Sequence, residues 1–119
     1  MKIKRMFSVV LLVLVGCSPL PIELEIDVNP NPAKVGEEVS IIVHEPEEAK
    51  GEFSTVGVMV MISWTDPETG STTMQAFQDK QFEEEMIFVP DVPVPHSILA
   101  SSYSLTKQAM GFVTLTVNE

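Results

Sequence analysis

Short segments in which apolar and polar residues alternate constrain the fold of this chain more than any other feature of its sequence. The first is IELEIDV at residues 22–28, where four aliphatic side chains alternate with three acidic ones. The last lies within GFVTLTVNE at residues 111–119, where Val113, Leu115 and Val117 alternate with threonines. Successive side chains of a strand point to opposite sides. A period of two therefore predicts strands with one buried face and one solvent face.

The remaining segments follow the same scheme. Further strands are predicted in β-branched or apolar stretches at residues 39–45, 54–64, 71–77, 82–89 and 101–107. Turns and loops are predicted in stretches rich in Pro, Gly, Asp or Glu at residues 29–38, 45–52, 65–70 and 90–97, with a polar break at residues 78–81. About seven short strands with no convincing helix predict an all-β, antiparallel sandwich.

The longest predicted strand, residues 54–64, has two different faces. One face would carry the aliphatic residues and the single tryptophan, namely Val56, Val58, Val60, Ile62 and Trp64. The opposite face would carry Met59 and Met61. In a two-sheet sandwich one side of each strand is buried between the sheets. We therefore expect Trp64 to help fill the core and the two methionines to point outward.

Two stretches carry a resemblance to a known fold family. VNPNPAKVGEEVSIIV, residues 28–43, resembles the first loop and second strand of bacterial immunoglobulin-like domains. ISWTDPETGSTT, residues 62–73, is similar to the hairpin after the tryptophan strand of such domains. The resemblance implies an immunoglobulin-like β-sandwich of about seven strands over residues 22–119. The chain lacks the cysteine pair that joins the two sheets of antibody domains.

The first sixteen residues have the composition of a targeting segment. Lys2, Lys4 and Arg5 form a basic start, and the apolar run from Met6 to Val15 follows. That run is shorter than the about 20 apolar residues of a transmembrane helix. A basic start followed by a short apolar run predicts a cleaved signal peptide over residues 1–16.

The only cysteine stands at the end of this segment. Leu14-Val15-Gly16-Cys17 resembles the lipobox of bacterial lipoproteins. The resemblance implies cleavage before Cys17 and attachment of a diacylglyceryl group to its sulfur, often with a further acyl chain such as palmitate. Residues 17–21 would then be the lipidated cysteine and a tether, and the membrane would be a partner through the lipid on Cys17. The implied location is the extracytoplasmic cell envelope, at the outer membrane in a Gram-negative cell or on the outer face of the cytoplasmic membrane in a Gram-positive cell.

The charge of the chain excludes one class of partner. Three of the seven basic residues lie in the predicted signal peptide, which leaves four against 17 acidic residues, a net charge of about −13. Such a surface repels nucleic acid, so we predict no nucleic-acid binding. We also predict no cofactor, because no phosphate-binding glycine motif or EF-hand spacing occurs.

Catalytic patterns are also missing from the sequence. The two histidines, His44 and His96, are about fifty residues apart and belong to no HxH or HExxH motif. No G-x-S-x-G nucleophile elbow occurs. We predict a protein that is not an enzyme, with His44 at a strand edge and His96 in a loop.

Two functional hypotheses remain open. In the first, the domain is a non-enzymatic binding or structural module that contacts an envelope protein, peptide or glycan, with Met59, Met61 and His44 as candidate contacts. In the second, the same three residues bind copper, because thioethers and imidazole suit Cu(I). Methionines that merely fill an irregular core are the plainer interpretation of the same pattern.

Overall fold

Two facing β-sheets form the body of the molecule in the computed structural model, which describes residues 21–53, 57–104 and 106–119. The larger sheet has five strands in the order β1 (Ile22–Glu23), β9 (Gln108–Leu115), β8 (His96–Tyr103), β5 (Val58–Thr65) and β6 (Thr72–Lys80). The smaller sheet has three strands in the order β2 (Glu25–Asn29), β4 (Val39–His44) and β7 (Met86–Phe88). A two-residue pair joins β3 (Ala33–Lys34) to β10 (Val117–Asn118), and one 3-10 turn spans Glu47–Ala49.

The strand order is that of an immunoglobulin-like sandwich. β5 and β6 form an antiparallel hairpin, and β8 returns beside β5 to pair with β9. β4, which precedes β5 in the chain, lies in the opposite sheet between β2 and β7. This division of consecutive strands between two sheets is the immunoglobulin arrangement, so the predicted all-β, immunoglobulin-like sandwich is confirmed. The strands beyond the predicted seven are two-residue pieces.

The core consists of the inward side chains of both sheets. The smaller sheet contributes Val39, Ile41, Val43, Met86 and Phe88, and the larger sheet contributes Val58, Val60, Ile62, Ile98 and Leu115, all at most 3% exposed. Each buried apolar side chain of this size contributes roughly 1.5–3 kcal/mol through removal from water. The expected inward orientation of the aliphatic face is thus seen in the described residues of β5.

The N-terminal segment changes sheets at Leu24. β1 runs parallel to β9, whereas β2, one residue further on, runs antiparallel to β4. Leu24 is 3% exposed, and its amide donates to the Met110 carbonyl at 2.8 Å. Its own carbonyl lies so close to Gly111 that a Cβ at position 111 would be 2.3 Å from the oxygen. The crossing of the chain between the sheets therefore needs a glycine in β9.

Several predicted boundaries were wrong. The strand predicted at residues 101–107 ends at Tyr103, the last residue of β8, and the Ser104 amide then donates to the Lys107 carbonyl at 2.8 Å. The loop predicted at residues 90–97 ends earlier, because β8 begins at His96, whose ring packs against two core aromatics. The polar break predicted at residues 78–81 lies largely within β6, which continues to Lys80 through a register shift. The strand predicted at residues 82–89 shortens to β7, because Glu83 adopts a positive φ of 65° that extended strands do not have.

Several predictions fall outside the described residues. They include the signal peptide, Cys17 and the tether as far as residue 20, together with Val56. Within the described ranges, no helix is long and apolar enough to cross a membrane.

Candidate functional site

Four strands of the five-stranded sheet, β6, β5, β8 and β9, present a continuous surface of mainly apolar and hydroxyl side chains on their outer side. The strand registers align the outward residues of four strands in rows, for example Ala76, Met61, Leu99 and Phe112. We call this surface the methionine face. It consists of Thr72, Met74 and Ala76 on β6, Met59, Met61, Ser63 and Thr65 on β5, Ser97, Leu99 and Ser101 on β8, and Met110, Phe112 and Thr114 on β9.

No residue of the methionine face itself carries a charge, although the chain has 17 acidic residues; carboxylates adjoin it only at the margin, where Glu23 pairs with Met110 and Asp79 lies near Met59. Two of its large apolar side chains are well exposed, Phe112 at 65% and Met74 at 60%. Met59 and Met61 are half-buried because β5 has a neighbouring strand on each side. A contiguous uncharged surface with exposed large apolar side chains is typical of a contact site.

The outer side of the three-stranded sheet has the opposite character. The outward residues of β2 include Glu25 and Asp27, and the loop before β7 adds Glu83 and Glu85. The Ser40 hydroxyl of β4 donates to Glu85 Oε2 at 2.7 Å. We call this surface the acidic face. The molecule therefore has one acidic outer surface and one whose centre is uncharged.

His44 is held between two carboxylates on the acidic face. Its Nε2 lies 2.7 Å from Asp27 Oδ2, and its Nδ1 lies 2.7 Å from Glu83 Oε1. The other oxygen of Glu83 accepts the amide of Glu45 at 2.9 Å. The cluster thus links β2, β4 and the loop before β7. Both ring nitrogens donate when the imidazole is protonated, so this geometry favours the charged form.

The cluster shifts the pKa values of His44 and Glu83. Hydrogen bonds to Asp27 and then to Glu83 raise the pKa of His44 above its usual value. The amide of Glu45, followed by His44, lowers the pKa of Glu83. The side chains of Asp27 and Glu83 are more than half exposed, so solvent screens the three charges.

The stability of the protein should depend on pH through this cluster. A raised His44 pKa gives a stabilising contribution that is complete when the pH is below 6.5, the usual pKa of the group, and is lost as the pH rises through the folded-state pKa. A lowered Glu83 pKa gives a stabilising contribution that is present above pH 4.5, the usual pKa of the group, and is lost as the pH falls through the folded-state pKa. Wild type should therefore exceed His44→Asn in unfolding free energy by about 0.5–1 kcal/mol between those two pH values, with a smaller difference at pH 9. Urea unfolding of both proteins, from below pH 4.5 up to pH 9, measures it, and a difference that stays the same at every pH would contradict the assignment.

The second histidine is buried between the sheets. His96 is 0% exposed and stacks on Trp64 with 4.6 Å between ring centroids, while Phe88 meets it edge-on at 5.5 Å. Its Nδ1 lies 2.7 Å from the Val94 carbonyl, so Nδ1–H donates there. Burial lowers the pKa of His96. His96 is thus a neutral core residue. Trp64 is partly buried and packs over its ring at the edge of the core, as expected of a core-filling tryptophan.

The structure does not bring His44 together with the two methionines. His44 lies on the acidic face, whereas Met59 and Met61 lie on the methionine face of the opposite sheet. His96 points into the core between them. One ion therefore cannot contact Met59, Met61 and either histidine. Among the described residues, no group of three or more His, Cys, Asp or Glu side chains is placed to hold a metal.

Neither histidine is placed to activate a nucleophile. Both ring nitrogens of His44 face carboxylates, and His96 is enclosed in the core. The surface has shallow depressions, such as one of about 240 Å³ lined by Met59, Tyr103 and Ser102. The Ser102 hydroxyl donates to the Gly57 carbonyl. Asp79 also lines this depression, but the Ser102 hydroxyl donates to a backbone carbonyl and not to that carboxylate, so the serine is not paired with a base.

Sequence reasoning missed several members of these surfaces. Met110, Phe112 and Leu99 join Met59 and Met61 only through the pairing of β8 with β5 and β9, which no local pattern reveals. The sequence contained one indication of the Asp27–His44 contact, because both residues occupy outward positions in segments of alternating apolar and polar residues. The sequence contained no such indication for Glu83, since the position of its side chain depends on an unusual backbone conformation.

Comparison with known proteins does not assign the chain to a family. No protein-family model matches the chain, and no curated protein matches it. A solved structure similar to it is the PKD domain of an M14-like peptidase from Thermoplasmatales archaeon SCGC AB-540-F20. The two are 14% identical, the match covers 87% of this chain and 100% of the other, and the TM-score is 0.44. The immunoglobulin-like fold follows from the order and pairing of the strands, independently of the similarity to that PKD domain.

Proposed function

We propose that this protein is a lipid-anchored, non-enzymatic binding module of the bacterial cell envelope, and that the methionine face is its contact surface. The observation that carries the proposal is the contrast between the two outer surfaces. A chain this acidic keeps charge off the centre of one side of its sandwich, with Glu23 and Asp79 only at the margins, and exposes Phe112 and Met74 there. Exposed apolar side chains gain nothing from contact with water, whereas burial against a partner would remove them from it.

The chemistry of the methionine face favours a protein partner. Its side chains are thioethers, aliphatic groups, one aromatic ring and small hydroxyls, as at Met61, Phe112 and Ser63. Methionine is adaptable and makes favourable contacts with aromatic rings, and interfaces are depleted of charged residues at their centre. The arrangement of both histidines supports a non-enzymatic role, because neither is free to act as a general base.

The anchor rests on the leader and Cys17. Stable attachment to a bilayer takes two acyl chains, with roughly 0.8 kcal/mol for each buried methylene. A diacylglyceryl thioether on Cys17 would meet this requirement. The domain begins its first strand at Ile22, so the lipid would hold the sandwich close to the membrane.

Replacing Cys17 with serine is expected to abolish the anchor. Cys17→Ser should lose labelling by a palmitate analogue and move almost wholly from the membrane to the soluble fraction, because the hydroxyl is a much poorer nucleophile than the thiolate. Ser18→Ala, which changes the next residue and keeps the thiol, is the matched control and should remain labelled and membrane-bound. If Cys17→Ser is still cut after Gly16 and stays in the membrane, the lipid anchor is ruled out.

A further inference from the structure

We infer that the methionine face binds a second copy of this chain, so that two sandwiches pack face to face. The inference deepens the proposed function, since it names the partner of the surface proposed above. It rests on the distribution of charge, the area of the face and the placement of its exposed side chains.

Charge limits how two copies can approach each other. Each copy would have a net charge of about −13 after removal of residues 1–16, and contact through the acidic faces would bring Glu25, Asp27 and Glu83 close to the same carboxylates of the other copy. Contact through the methionine faces avoids this. Packed sheets lie about 10 Å apart, so the two acidic faces of such a dimer would be roughly 30 Å apart. That is about four Debye lengths at physiological salt, where repulsion is largely screened.

The area of the methionine face suits a weak dimer. Strands of eight or nine residues at about 3.3 Å per residue are roughly 27 Å long, and four strands spaced about 4.8 Å apart give a face roughly 19 Å wide. Each copy would then bury roughly 500 Å², or about 1,000 Å² in total, near the lower limit for a specific interface. Attachment to one membrane raises the effective concentration of the two copies, which favours a contact of this size.

The exposed side chains are placed to complement each other. Phe112 lies on β9 and Met74 on β6, toward opposite margins of the face. A two-fold axis along the strands, between β8 and β5, places β9 of one copy over β6 of the other. By the strand registers, Phe112 then lies over Ala76 of the partner subunit, and Met74 of the partner subunit follows two residues along β6, roughly 7 Å away, within reach of these long side chains. Sulfur–aromatic contacts of this kind are favourable.

Thiol cross-linking in intact membranes tests the dimer. Ser63 lies beside the proposed axis and is paired with Ser97 across β5 and β8. In the full-length chain, Ser63→Cys treated with a bismaleimide about 10 Å long, the spacing of packed sheets, should give a covalent dimer on a denaturing gel. The matched control Ser40→Cys puts the thiol on the acidic face and should give at least tenfold less. Wild type supplies the background, because its only cysteine is Cys17.

Charge substitutions make the test specific for the interface. In the Ser63→Cys background, Ser97→Glu places two carboxylates near the axis and should reduce the cross-linked fraction at least tenfold, whereas Ile87→Glu, on the other sheet, should leave it unchanged. If Ser63→Cys gives no covalent dimer, the inference is overturned. This holds both when the introduced thiol reacts freely with a monofunctional maleimide and when it is shielded by lipid or another protein. A cross-link in wild type has a different meaning: it shows a free Cys17 thiol and contradicts the anchor alone. The face is then tested in a Cys17→Ser background.

Discussion

Replacing Trp64 with alanine is expected to lower the free energy of unfolding by about 3 kcal/mol, near the lower end of the range for truncating a packed tryptophan. The indole is partly buried, lies 5.7 Å from Phe88 between ring centroids, and stacks on His96. Its removal leaves a cavity at the end of the core and opens a path for water to the buried imidazole. Denaturant unfolding followed by circular dichroism measures the change, since the variant contains no tryptophan.

Two control variants separate packing from aromatic content. Trp64→Phe keeps a ring over His96 and should recover more than half of the lost stability. Phe112→Ala removes an aromatic ring of the methionine face that is 65% exposed, and it should change the unfolding free energy by no more than about 0.5 kcal/mol. A loss below about 1 kcal/mol for Trp64→Ala would mean that the indole does not close the core.

Gly111→Ala is expected to destabilise the domain by about 2 kcal/mol or more, within the range for forcing extra atoms into a packed interior. The new Cβ would lie 2.3 Å from the Leu24 carbonyl oxygen and 3.0 Å from the Leu24 Cβ. Backbone must move to relieve this contact, and the segment that would move carries the Leu24–Met110 hydrogen bond. The far-UV spectrum should stay that of a β-protein while the urea midpoint falls.

The sign of the Gly111→Ala effect is the informative part of the result. The φ of Gly111 lies outside the left-handed region, and at such a position glycine-to-alanine changes normally stabilise by about 0.4–1 kcal/mol. Gly36→Ala provides the comparison, because Gly36 has a φ of 85° but nothing within 4 Å of its added Cβ. It should lose stability through backbone strain alone. Neutral or increased stability for Gly111→Ala would contradict the close crossing of the chain at Leu24.

The sequence predicted those parts of the fold that depend on local alternation. The inward sides of β4 and β5 follow from the period of two at Val39–Val43 and Val58–Ile62. The same reasoning failed at His96, where proline-rich sequence predicts a loop but stacking against Trp64 and Phe88 extends the strand. Local pattern does not contain that contact.

The candidate site was predictable only in part. Alternation placed Met59 and Met61 on one outward side, but the extent of the methionine face depends on which strands become neighbours of β5. Grouping His44 with the methionines failed for the same reason, since sheet membership is a property of the tertiary fold. The pairing of β1 with β9 and of β2 with β4 likewise divides a segment, residues 22–28, that reads as one strand.

That division determines how the domain would respond to mechanical force. β1 lies parallel to β9, and β10 lies parallel to β3, so the two ends of the described chain leave the sandwich at opposite ends. Tension between Pro21 and Glu119 would therefore slide β1 along β9 instead of peeling it away. The Leu24–Met110 and Ala33–Thr116 hydrogen bonds, at 2.8 and 2.9 Å, would be loaded in shear together with their neighbours. A module with this geometry resists pulling along its length far better than its few terminal hydrogen bonds would suggest.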